Sequence, residues 1–190
     1  MLLLIPNKKL YARFLHFCFL FVIPLGMNSL LLFDFKEKCD ISNWKIVDDG
    51  VMGGLSSSTF FVANSGDGIF RGNVTLENNG GFCSVRHFFT PKSIKDYSFF
   101  SIRLKGDGKK YQFRVKSKLN DPHSYVYEFQ TTTDWQTIEI PIPDLYASFR
   151  GRTLDLPNYD GTILSEIVFL IGNKQKENFE LRIDKIEVKK

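Results

Sequence analysis

The chain has little of the material from which metal and catalytic centres are usually built. It holds three histidines and three cysteines in 190 residues. No HxxxH, HxH or CxxC spacing occurs among them, so no metal-ligand set is legible and no metal or cofactor is expected. Ser56, Ser57 and Ser58 form a polar run without the Gly-x-Ser-x-Gly setting of a nucleophile elbow. Charge of one sign is also missing. Lys8, Lys9 and Arg13 account for three of the 25 basic residues and precede all 21 acids, so the chain beyond residue 29 carries 22 basic against 21 acidic residues, a net of +1. That near balance provides no basic field for a phosphate backbone, and nucleic acid is not an expected partner.

With Cys18 near the N-terminus, Cys39 and Cys83 remain for the rest of the chain. Two cysteines are too few for a disulfide framework. The pair is compatible with one disulfide in an exported chain and equally with two buried thiols, since free cysteine behaves as a small hydrophobe.

The apolar run Phe14 to Gly26 has no counterpart elsewhere in the chain. Basic residues precede it and small or polar residues, Gly26 and Ser29, follow, which is the order of an export signal. The run is shorter than the roughly 20 residues that span a bilayer, and Pro24 interrupts it. Residues 1–29 are therefore expected to be a signal-like leader, or an uncleaved anchor because no Ala-x-Ala site is present, giving membrane association through this short apolar segment. The expected location is the periplasm or cell envelope. A mitochondrial location is the alternative, because no acid precedes Asp34. Residues 30–190 have the size of one domain, and no linker divides them.

Beyond the leader the hydrophobic period is two. Phe100, Ile102 and Leu104 alternate with polar residues, as do Tyr111, Phe113 and Val115. Tyr125, Tyr127 and Phe129 alternate with Val126, Glu128 and Gln130. These are half-buried strands. Further strands are expected near 31–35, 44–47, 59–63, 69–76, 82–89, 136–142, 166–171 and 179–188, with Gly, Asn and Asp turns between them. The pattern predicts an all-β, two-sheet sandwich whose interior is filled by many of the 19 phenylalanines. Residues 145–156 read as a loop with at most a short helical turn. Arg103, Arg114 and Glu128 fall on polar phases and would form a charge ladder if their strands were neighbours.

One segment is denser in turn chemistry than any other. Asn43 to Ser56 packs Trp44, the adjacent carboxylates Asp48 and Asp49, and Gly50, Gly53 and Gly54 between two apolar stretches. Glycines permit backbone angles or close approaches that a side chain forbids, and aspartates bond nearby backbone N–H groups. Adjacent residues of an extended segment point to opposite sides, so Asp48 and Asp49 are not expected to act on one bond. Calcium ligation by turn carboxylates is the alternative to local capping. Trp44 and Trp135, with Tyr111, Tyr125, Tyr127 and Tyr146, have two readings: core packing, or a platform on which sugars stack.

The string Asp-Gly-Val-Met-Gly-Gly-x-Ser after a tryptophan resembles the signature of the complex I intermediate-associated protein family, whose founding members help assemble respiratory NADH dehydrogenase. Three later blocks look like the family's in the same order. The first is Asn78 to Phe82 with Ser84 and Arg86. The second is Arg103 to Tyr111, containing Gly106 and Gly108, with Phe113 and Arg114. The third is Asp134-Trp135, Ile140 to Ile142 and Phe149 to Gly151. The resemblance covers about residues 31–188 and implies a galactose-binding-like jelly roll. It further implies a non-catalytic, chaperone-like module that binds a protein partner such as a respiratory complex subunit or assembly intermediate. The blocks mark Asp48, Asp49, Met52, Ser56, Arg86 and Arg114 as a partner-binding surface. They mark Gly50, Gly53, Gly54, Gly80, Gly81, Gly106 and Gly108 as structural turns. A carbohydrate-binding module of the cell envelope is the alternative function.

Overall fold

The computed structural model describes residues 29–190. The expected leader lies, but for Ser29, outside the described residues. Thirteen strands follow one another: β1 (Ser29–Asp34), β2 (Trp44–Ile46), β3 (Ser57–Val62), β4 (Gly68–Val74), β5 (Cys83–Ser93), β6 (Phe99–Lys105), β7 (Lys110–Lys116), β8 (Ser124–Gln130), β9 (Gln136–Pro141), β10 (Tyr146–Phe149), β11 (Arg152–Thr153), β12 (Ile163–Ile171) and β13 (Glu177–Lys189). Three 3-10 turns interrupt them. All the strand pairings are antiparallel.

The strands form two sheets. One has the order β3-β4-β13-β6-β9, with β1 also paired to β13; the other has the order β11-β10-β8-β7-β12-β5-β2. The two pack as a jelly-roll sandwich. Strand β13 organises the smaller sheet, because β4 pairs with residues 177–183 and β1 with residues 185–189, while β6 pairs with residues 182–189. Since β6 overlaps both registers, it occupies the opposite edge of β13 from β1 and β4.

The period-two phase decides what lies between the sheets. Phe100, Ile102 and Leu104 of β6 and Tyr111, Phe113 and Val115 of β7 are buried. Phe100 meets Phe113 edge to face across the sandwich at 5.0 Å between centroids. Each such ring stabilises the fold by about 1.5–3 kcal/mol through burial alone. Residues on the other phase of β7, namely Gln112, Arg114 and Lys116, are only partly covered.

Three local expectations change. Residues 145–156 contain the hairpin β10-β11 rather than a loop. Its strands are too short to show a period, and Arg150 (φ 48°) and Gly151 (φ 75°) supply the left-handed turn. Val126, on the polar phase of β8, is buried, because it lies between Arg114 and Tyr146 on neighbouring strands. The charge ladder does not form across three strands. Arg103 belongs to the smaller sheet, where it pairs with Asp184 at 2.9 Å and covers the ring of Trp135, whereas Arg114 and Glu128 lie on the adjacent strands β7 and β8.

An aromatic cluster closes one side of the sandwich. Trp44 packs against Phe33, Phe35, Phe60 and His87, with centroids 4.9–5.3 Å apart. His87 also meets Phe89 at 4.5 Å, and its Nδ1 has no hydrogen-bond partner. Burial, reinforced by Lys92, pushes the imidazole pKa down to about 4. The unfolded chain, with an ordinary histidine near 6.5, binds more protons between these values, so stability is full above pH about 6.5 and falls toward pH 4. The expected loss is about 3 kcal/mol. Urea denaturation across this window should show it, and His87→Phe should flatten the pH dependence there. An unchanged slope in the variant would assign the loss to other groups.

Candidate functional site

The glycine-rich segment folds around Asp49. Asp48 is extended, Asp49–Met52 form a 3-10 turn, and Gly53 ends it at φ 90°. Donation from Gly53 N–H to Gly50 O (3.1 Å) and from Gly54 N–H to Asp49 O (3.1 Å) closes the turn. The Asp49 side chain is fully buried. Its carboxylate accepts from Ser56 N–H at 2.9 Å, Gly81 N–H at 2.6 Å and Phe82 N–H at 3.3 Å, and from the Ser56 hydroxyl. Thr75 N–H in turn donates to Ser56 Oγ at 2.9 Å. Burial works against the charged form, but these donors outweigh it and hold the Asp49 pKa below its ordinary value.

The neighbouring glycines follow from this carboxylate. A methyl group on Gly54 would overlap the Asp49 carboxyl and approach the Gly80 Cα to 2.8 Å; one on Gly80 would lie 2.5 Å from Asp49 Oδ2. Gly50, by contrast, has open space around it and no positive φ.

Asp48 serves a separate junction. It accepts one bifurcated hydrogen bond from the Ser58 hydroxyl, whose Oγ lies 2.8 and 2.9 Å from the two carboxylate oxygens, and one from Ser84 N–H (3.3 Å). Burial raises its pKa despite these bonds. Beyond the two carboxylates, the segment leaves its apolar side chains outside: Val51 is 71%, Met52 54% and Leu55 56% exposed.

Arg86 and Arg114 stand elsewhere, on the outer face of the larger sheet. Register places Lys45, Arg86, Val168, Arg114, Val126 and Tyr146 in one row across β2, β5, β12, β7, β8 and β10. Arg86 pairs with buried Glu166 at 3.4 Å, and its Nε has no acceptor. Arg114 donates to the neutral amide oxygen of Gln112 from Nε (3.0 Å) and Nη2 (2.5 Å). Burial raises the pKa of Glu166, with Arg86 and Lys116 opposing the shift.

The six marked residues are therefore not gathered on one surface. Asp49 and Ser56 bond one another in the interior, Asp48 is half-buried, Met52 is at the exposed turn, and the two arginines share the sheet face. Ser58 of the serine run and Ser84 of the block from Asn78 to Arg86 bind Asp48, whereas Glu166, the partner of Arg86, carries no motif in the sequence. A lone acid inside the apolar stretch Ile163–Ile171 was the available signal for Glu166.

The remaining chemistry-bearing groups have structural surroundings. Cys39 and Cys83 are free thiols, and burial raises the Cys83 pKa far above the ordinary thiol value. Asp107 accepts from Lys109, Tyr111 and Glu180 N–H, and Asp160 caps Thr162. Among the described residues no group of three or more His, Cys, Asp or Glu is placed to share a metal ion. Trp44 and Tyr111 are buried, and Trp135 lies just before β9 under Arg103 of the smaller sheet, so the aromatics do not form one platform.

Asp49→Ala leaves Gly81 N–H and Ser56 N–H without their acceptor, and the expected destabilisation is about 3 kcal/mol. Gly54→Ala should also destabilise strongly, whereas Gly50→Ala should stay within about 0.5 kcal/mol of the parent. Chemical denaturation of the three variants checks the order; equal stability of Gly54→Ala and Gly50→Ala would contradict the close approach to Asp49.

Comparison with known proteins places this geometry in a wider set. The family described as Complex I intermediate-associated protein 30 (CIA30) matches residues 33–183. The mouse protein named Complex I intermediate-associated protein 30, mitochondrial, is 25% identical over 187 residues, covering 85% of this chain and 56% of its own length. The chain thus spans about half of that relative. An uncharacterised protein of Schizosaccharomyces pombe is 27% identical over 180 residues, covering 83% of this chain and 82% of its own. Among solved structures, a family 11 carbohydrate-binding module from a Clostridium thermocellum cellulase superposes with a TM-score of 0.64 at 18% identity, covering 84% of this chain and 93% of the module. That likeness is one of fold. With the family match running from β1 into β13, the chain belongs to the Complex I intermediate-associated protein 30 family.

Proposed function

We propose that the protein is a non-catalytic binding module acting in the assembly of respiratory NADH dehydrogenase, where it holds a complex I subunit or assembly intermediate in a chaperone-like manner. The observation that carries this reading is the division of labour within the family signature. Its carboxylates and glycines brace a rigid turn, while Val51, Met52 and Leu55 remain largely outside. Large apolar groups held exposed on a braced turn suit a protein interface, and methionine adapts to irregular partners. The non-catalytic reading is supported by the use of Ser56, Asp49 and Cys83 as interior groups. The mitochondrial mouse relative supports a mitochondrial location over the export route suggested by the leader. A sugar-binding role draws only on a shared fold, and function does not follow from fold.

A photo-crosslinking residue at position 52, used in mitochondria of the source cell, tests the reading. Complex I subunits or assembly intermediates are the expected adducts, and adducts lacking any of them would overturn it. Val51→Ser with Leu55→Ser should change stability by less than about 1 kcal/mol and weaken capture of the crosslinked partner roughly tenfold. Undiminished capture would exclude this turn from the interface.

A further inference from the structure

The outer face of the larger sheet carries charge that its own residues do not match. Lys45, Arg86, Arg114 and Lys116 point to this face by strand alternation, against the single buried acid Glu166. Lys110 and Glu128 neutralise one another at 3.1 Å. The two arginines flank Val168, one strand to either side, so their backbones are about 10 Å apart and both guanidinium groups can reach a point above it. Val168 is buried beneath them.

Neither fork is saturated. Arg86 has one long contact, 3.4 Å to Glu166, and its Nε–H meets no acceptor. Arg114 has only the neutral oxygen of Gln112. Burial lowers the Arg114 pKa and repulsion from Arg86 acts in the same direction, with Tyr146 and Glu128 opposing the shift. Two partly desolvated guanidinium groups that repel one another are held in place by the sheet, and a bound carboxylate would relieve the repulsion and give acceptors to the part of each fork that reaches solvent.

We propose that this face seats an acidic segment of a protein partner, with Arg86 and Arg114 converging on its Asp or Glu carboxylates over Val168. The occupant follows from charge complementarity and from the planar fork, which matches a carboxylate with two parallel hydrogen bonds. The inference rests on the protein-binding reading and adds a second contact surface, separate from the Val51–Leu55 turn.

The test is titration of the 190-residue chain with a hexaglutamate peptide at low ionic strength, followed through the arginine Nε–H resonances. Hexaglutamine, inorganic phosphate and a neutral β-glucan tetrasaccharide form the other arms. Hexaglutamate should shift the Arg86 and Arg114 signals saturably. Arg114→Gln, which leaves the Arg86–Glu166 pair intact, should weaken the binding about tenfold or more. Glu166→Gln should strengthen it about two- to threefold by removing the internal competitor. Absence of a shift, equal binding by Arg114→Gln, or equal response to phosphate, hexaglutamine or the tetrasaccharide would overturn the proposal. Capture of complex I subunits that is undiminished in Arg114→Gln overturns this inference while leaving the assembly reading standing. Hexaglutamate binding at both arginines without capture of any such subunit supports the acidic site and overturns the assembly reading.

Discussion

A carboxylate removed from water is tolerated only where donors replace its hydration, and Asp49 meets that condition with hydrogen bonds from two separate segments. The bonds come from Ser56, just before β3, and from Gly81 and Phe82, just before β5. Because β3 and β5 belong to different sheets, one charged group fixes where both strands enter the sandwich. Ser56 extends the link to Thr75 at the end of β4. The spacing of glycines around the aspartate is a consequence of the same contact: Gly54 and Gly80 are the points at which the backbone must pass the carboxyl group.

The scaffold and the surfaces it displays are correspondingly distinct. Asp48 and Asp49 hold the signature turn from beneath, whereas Val51, Met52 and Leu55 face solvent. On the larger sheet, Arg86 and Arg114 are carried by β5 and β7, the strands on either side of β12. The two histidines of the described residues lie apart from both surfaces. His87 is locked among Trp44, Phe33 and Phe89, and His123 stands beside Tyr125.

What sequence reveals here depends on the range of the interaction. Alternation in β6 and β7 is local, so the inward set Phe100, Ile102, Leu104, Tyr111, Phe113 and Val115 is legible directly. The short hairpin β10-β11 is not, because four residues and two residues carry no period. The glycines announce a turn, but only the fold reveals that Gly80, thirty-one positions after Asp49 in the numbering, yields space to that carboxyl group. Arg103 and Arg114 share a polar phase and yet sit on opposite sheets, since alternation fixes which side of a strand a residue occupies and not which strand lies next to it. Val126 shows the complementary case, a nominally outward residue covered by its neighbours.

The placement of β13 has a consequence for how the domain comes into being. The strand borders β1, β4 and β6 at once, and its pairing of Lys189 with Ser29 joins the two ends of the described chain. A chain emerging from a ribosome from its N-terminus has β1, β4 and β6 before it has their common neighbour. Those edges stay open until residues 177–189 arrive, and long-range antiparallel pairing of this kind is slow. Newly made chains therefore pass through an interval in which exposed strand edges invite pairing with other chains. The edges of β1, β4 and β6 that β13 covers are therefore the last part of the smaller sheet to close.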